Sequence, residues 1–200
     1  MTLKPQDILI LLKMVAQGAA PWSYNQLAYE LGMSASEVHA GIKRAAQVGL
    51  LQVKSGWGSP DLEALWEFLV YGVRYAFAPD RGGLVQGVPT AFWTSPLKER
   101  LSATDEPPCV WPDEDGPVKG LEFSPLYRSV PFAARRDAGL YQLLALVDAL
   151  RIAHNQRELA VAALRDRLKH ASQFEASAAP TRAALAKRGS HGKESQLHRR

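Results

Sequence analysis

Cysteine is nearly absent. Cys109 is the one thiol in 200 residues, which excludes an internal disulfide and any zinc site built on paired thiolates, and fits a reducing cytoplasm. Long apolar runs are missing too. None exceeds about six residues, as from Phe68 to Val73, far below the ~18 that a membrane-crossing helix needs, so no membrane partner is expected. The patterns of catalysis and metal binding are also lacking. His39, His154, His170, His191 and His198 show no i, i+4 pair and no carboxylate at ligand spacing. Asp105, Glu106, Asp113, Glu114 and Asp115 do not follow the order of a calcium loop, and Gly82, Gly83 and Gly87 do not form a phosphate-cradling fingerprint. Cys109 has no basic neighbour and reads as a packed thiol rather than a nucleophile. The expectation is no enzyme, no metal and no cofactor.

Charge of one sign is scarce once the chain is divided. The formal net charge is +4, but residues 171–200 hold six bases against two acids, while residues 1–170 carry eighteen of each. The high isoelectric point therefore belongs to the tail. Within the body, residues 1–54 are mildly basic, and the stretch from Asp105 to Asp115 has five acids and no base.

Periodicity organises what is present. Ile8, Leu11, Leu12 and Val15 fall at i, i+3, i+4, i+7, which predicts a helix from about Pro5 to Gln17; Asp7 and Lys13 break any resemblance of this stretch to a signal peptide. Ser23 can cap a second helix with Tyr24, Leu27, Ala28 and Leu31 on one face, ended by Gly32. Ser34 and Glu37 form a capping box for a third helix whose buried stripe is Val38, Ile42 and Ala45. Gly49 to Lys54 reads as a strand, Ser55 to Gly58 as a turn, and Ser59-Pro60-Asp61 as the start of a helix striped by Leu62, Leu65, Trp66, Leu69, Val70 and Val73. Tyr75 to Ala78 and Leu84 to Val88, separated by Pro79-Asp80-Arg81-Gly82-Gly83, predict a hairpin. Nine of the 13 prolines lie between Pro79 and Pro131, so loops and short extended pieces over the surface are expected there.

Asp137 caps the next helix. Leu140, Leu143, Val147, Leu150, His154, Arg157, Val161, Leu164 and Leu168 keep heptad spacing, as one long helix or as two broken near Asn155. That stripe fits packing within the subunit or pairing of two subunits. A homodimer seam is the preferred reading, with His154 and Arg157 inside it. Beyond about His170 the composition turns to Ala, Ser, Gly, Lys, Arg and His, which predicts a flexible basic tail or a helical extension through Ala176 to Ala186.

Residues 23–51, SYNQLAYELGMSASEVHAGIKRAAQVGLL, resemble the helix-turn-helix of winged-helix bacterial transcription regulators of the MarR-like and related groups, and the first helix extends the likeness over residues 5–54. The resemblance implies a mainly α fold with a small β wing and double-stranded DNA as partner. It places the third helix in the major groove, with Ser36, Glu37, His39, Ala40, Lys43 and Arg44 facing bases and phosphates, Ser34 at the cap, and Tyr24 and Gln26 near the sugar-phosphate backbone. For each, a solvated helix face is the structural alternative, and Glu37 is preferred as a cap over a reader of cytosine. Arg81, at the tip of the expected hairpin, is the candidate wing residue, although a helix intervenes where this family has none. The implied layout is a DNA-binding domain over 1–90, a proline-rich irregular segment over 91–136, a helical dimerisation region over 137–170 and a tail over 171–200. The implied function is a cytoplasmic, sequence-specific transcriptional regulator, a dimeric repressor; the alternative is an antitoxin-like or adaptor protein that uses the winged helix to grip a protein partner.

Overall fold

The computed structural model describes residues 2–54, 57–100, 106–152 and 156–171. Residues 172–200 of the expected tail, His154 and residues 55–56 of the expected turn lie outside the described residues. The first three helices form where their caps lie: α1 (Pro5–Gln17), α2 (Tyr24–Leu31) and α3 (Ala35–Gln47). Ser23 Oγ accepts from Gln26 N at 3.1 Å to start α2, and Gly32 ends it in the left-handed region at φ 63°, ψ 39°. A side chain at Gly32 would also meet the Phe132 ring at 3.0 Å, so this turn serves packing as well as geometry.

Helix α1 is more enclosed than its stripe implies. Every residue from Asp7 to Val15 is buried, because α3 covers one flank and α7 (Ala138–Arg151) the other. A core helix of this kind reads as amphipathic only while its second neighbour is unseen.

After α3 the chain forms a hairpin, β1 (Leu51–Lys54) with β2 (Trp57–Pro60), antiparallel with Leu51 opposite Pro60 and Lys54 opposite Trp57. Sequence reading placed a turn and a helix start where β2 runs; Asp61 does cap the helix, its Oδ1 accepting from Ala64 N at 3.0 Å. That helix comprises α4 (Leu62–Glu67), a π-helical turn (Phe68–Gly72) and α5 (Val73–Ala76), without loss of right-handed helical backbone at the two joins. Tyr75 and Ala76, expected in a strand, therefore belong to a helical turn, and the hairpin predicted across residues 75–88 does not form.

The proline-rich stretch folds inward. β3 (Arg81–Pro89), β4 (Cys109–Pro112) and β5 (Val118–Phe123) each pair with the other two: β3 antiparallel to both, β4 parallel to β5 with Cys109 opposite Leu121. Gly120 permits this closure, since a Cβ there would run into the Pro108 carbonyl. The prolines did not forbid strands because Pro89 and Pro112 are the last residues of theirs. Phe92, Leu97, Val110, Trp111 and Phe123 are buried, so the described residues between 91 and 136 contribute to the core as well as to the surface, and the boundary expected near residue 90 falls where β3 joins strands beyond it. α6 (Val130–Arg136) then leads into α7.

The heptad stripe is spent inside the subunit. Leu140, Leu143, Val147 and Leu150 are buried beneath α1, the 3-10 turn Ala91–Trp93 and α5, as is every residue from Leu143 to Arg151. Helix α7 stops at Ile152 in extended backbone, and α8 follows over residues 157–171 with Leu164 and Leu168 buried and Val161 half-buried. Over the heptad stretch the described residues thus hold two helices, α7 and α8, and the expected dimer seam is corrected to intramolecular core. Heptad spacing cannot distinguish the two, since both demand the same apolar face. No helix among the described residues is long and apolar enough to cross a membrane.

One buried carboxylate joins these parts. Asp148 Oδ2 accepts from Thr90 Oγ1 at 2.8 Å and Trp111 Nε1 at 2.6 Å, and Oδ1 from Arg151 Nη1 at 2.7 Å. Arg151 donates onward to the carbonyls of Phe77 at 2.8 Å and Ser124 at 3.1 Å. The ends of α5, β3 and β5 are thereby pinned to α7. Removing the acid leaves Arg151 charged and buried, so Asp148→Ala should lower unfolding free energy by about 3–5 kcal/mol in chemical denaturation; a loss under about 1 kcal/mol would mean the cluster is incidental.

Candidate nucleic-acid interface

The orientation of α3 is set from below. Asp7, fully buried on α1, takes Arg44 Nε at 2.8 Å and Nη2 at 2.6 Å, a two-pronged pair that passes beside Gly41. A Cβ on Gly41 would press on Ile10 at 2.5 Å, so the two helices meet closely at that glycine. This corrects Arg44, expected on the outer face: its side chain is 11% exposed and its charge is used inside the protein. The long stem of arginine lets a residue next to Lys43 turn under the helix, which spacing alone does not reveal.

The remaining face looks outward. Ser36, His39 and Lys43 are exposed and Ala40 is half-buried on α3; Ser34 is exposed at the cap. Among the described residues Lys43 makes no ion pair, whereas Lys13 is taken by Glu30 at 2.6 Å and Asp137 at 2.7 Å. Gln26 is exposed and donates to Glu30 at 3.0 Å. Tyr24, 39% exposed, stands edge-on to His39 with centroids 5.2 Å apart and to Trp22 at 5.5 Å. Trp22 Nε1 in turn donates to Gly58 O in β2 at 3.1 Å. A line of three rings therefore connects the hairpin to the middle of α3.

Glu37 acts as a cap. Its Oε2 accepts from Ser34 N at 2.9 Å and Ser34 Oγ at 2.8 Å, and Oε1 accepts the Tyr127 hydroxyl at 2.6 Å. These donors, Tyr127 foremost, hold its carboxyl at about 2, and the same bond raises the tyrosine. With both oxygens engaged, the acid has little left to offer a cytosine.

Sequence reading missed Tyr127 and Arg128. Arg128 is exposed, lies 5.7 Å over the Tyr127 ring, and its charge helps keep Glu37 ionised at the start of α3. Ninety residues separate Tyr127 from Glu37 in the chain, and no local motif announces a contact of that range. Nearby, Arg136 lies 4.8 Å over Tyr29 and 4.9 Å over Phe132, joining α6 to α2. Arg81 is not at a hairpin tip: it opens β3 opposite Phe123, exposed, and the hairpin that follows α3 is β1–β2. Cys109 is buried, and burial pushes its thiol up, in keeping with a packed group.

Comparison of the chain with protein-family models, with curated proteins and with solved structures gives no match, so geometry alone carries the functional argument.

Because Glu37 is depressed in the folded state, its stabilising share is fully present above its ordinary value of 4.5 and is lost as pH falls through about 2. Tyr127→Phe should move the Glu37 midpoint upward toward 4.5 in a carboxyl NMR titration; an unmoved midpoint would show that the tyrosine bond is not the cause.

Proposed function

We propose that the chain is a sequence-specific, double-stranded-DNA-binding regulator, with α1–α3 as a helix-turn-helix unit, the β1–β2 hairpin as its wing, and repression by occlusion of a promoter as its action. The observation that carries this reading is the outer face of α3. Ser36, His39 and Lys43 are exposed and uncovered by the later described residues, while the opposite face is locked to α1. A helix held rigidly by one side and bare on the other has the form that a major groove admits.

Roles follow from chemistry. Ser36 and His39 present donors and acceptors to base edges, Ala40 a methyl to thymine, and Lys43 a cation to phosphate or guanine. Arg128 adds a second cation at the N-terminal end of α3, and Tyr24 supplies a hydroxyl beside His39. Two copies on a palindrome would have to pair through a surface other than the buried leucines of α7. One observation favours a second reading, the adaptor or antitoxin-like scaffold: Tyr71, Tyr75, Leu84 and Leu121, all outside α1–α3, stand in solvent.

The test is selection of bound sites from random duplexes, followed by fluorescence anisotropy across a salt series. Lys43→Ala and Arg128→Ala should each reduce the steepness of the log affinity against log salt plot by about 1, and His39→Ala should relax base preference with little change in slope. Arg44→Ala does not serve here, because it strands Asp7 in the core. Enrichment of no duplex, or slopes unchanged in both lysine and arginine variants, would leave the adaptor reading standing instead.

A further inference from the structure

At the far end of α1 from the Asp7–Arg44 pair lies a cavity of about 510 Å³ between α1, α7 and α8. Its size falls within the ~300–1,000 Å³ of small-molecule sites. Val15, Ala16 and Leu143 give it an apolar floor. Arg167 and His170 line it from α8, one turn apart on the same face and both exposed; among the described residues neither makes a hydrogen bond or ion pair. Gln17 also lines it. Its Nε2 donates to Pro21 O at 3.1 Å, which leaves Oε1 buried and without a partner. A buried acceptor with nothing to accept is a cost that turning the Gln17 amide toward a ligand donor would remove.

We propose that this cavity binds a small amphipathic carboxylate. The anion sits between Arg167 and His170, an apolar body lies on Val15, Ala16 and Leu143, and the Gln17 amide turns toward the ligand so that Oε1 accepts an N–H or O–H. Charge decides the class: two cationic or protonatable side chains face the space, no acid lines it among the described residues, and the buried polar atom without a partner is an acceptor. The site stands independently of the DNA reading, since none of its residues belongs to the outer face of α3.

The probe is N-acetylphenylalanine, which carries one carboxylate, one amide N–H and an aromatic body, titrated into the full chain by NMR with the backbone amides of Gly18 and Gly139 in the cavity wall as reporters. Saturable shifts at both glycines are expected. The uncharged amide of the same compound should bind about tenfold or more weakly, and Arg167→Gln should cost the acid a similar factor, as loss of a charge-assisted bond requires. Ala16→Trp, which fills the cavity, should abolish the shifts. The proposal is overturned by no saturable shift at these glycines up to about 10 mM, by equal affinity for acid and amide, or by unchanged affinity in the exposed Arg167→Gln variant, whose folding does not depend on the cavity.

Discussion

A helix buried on every side must have its charges answered, and the answers to Asp7 and Lys13 on α1 determine how the rest of the molecule is arranged. Asp7 reaches Arg44 on α3; Lys13 reaches Glu30 on α2 and Asp137, the residue that caps α7. Two side chains on one helix thus dictate where three others lie. Apolar contacts drive α1 into the core but are non-directional, so they do not by themselves choose a rotation. Paired charges do, because an unpaired one in that interior is costly.

The same logic recurs in the second half. Asp148 on α7 gathers Thr90, Trp111 and Arg151, and through Arg151 the carbonyls of Phe77 and Ser124, so the small three-stranded sheet and the π-interrupted helix are registered against α7. Buried ion pairs add little net stability compared with well-packed apolar groups of equal volume. Their effect is on arrangement. A chain whose core is mostly leucine, valine and alanine has many nearly equivalent packings, and two buried carboxylates with dedicated donors remove most of them.

Legibility in the sequence tracked the range of the interaction concerned. Helices α1, α2 and α3 were readable because their signals are local: Pro5 in a first turn, Ser23 and Ser34 as caps, Gly32 as an exit. Of the three-stranded sheet only Leu84 to Val88, within β3, was readable, and with the wrong partner; β4 and β5 were not, because each is short and proline-flanked and is stabilised by pairing with distant β3 or with each other rather than by any local signal. Leu140, Leu143, Val147 and Leu150 were read as apolar correctly and assigned to the wrong neighbour, since a heptad states that a face is covered without stating by what. On α3 the outer set of Ser36, His39 and Lys43 was legible from the helical period, whereas Tyr127 and Arg128 beside it were invisible to any window of local length.

Arg44 shows how energies sort residues between structure and recognition. A charge-assisted hydrogen bond to a phosphate contributes about 1.5–3 kcal/mol at best, and salt screens it. Withdrawing the guanidinium from Asp7 costs about 3–5 kcal/mol, because a fully buried carboxylate would be left alone. The internal pair wins, and Arg44 stays under the helix whether or not DNA is present. With Lys13 held as well, the described surface around α3 retains few cations outside ion pairs, Lys43 and Arg128 among them. An interface so sparing in charge would draw modest affinity from phosphates, so on the DNA reading discrimination must rest on the short-range fit of Ser36, His39 and Ala40 to base edges rather than on long-range attraction.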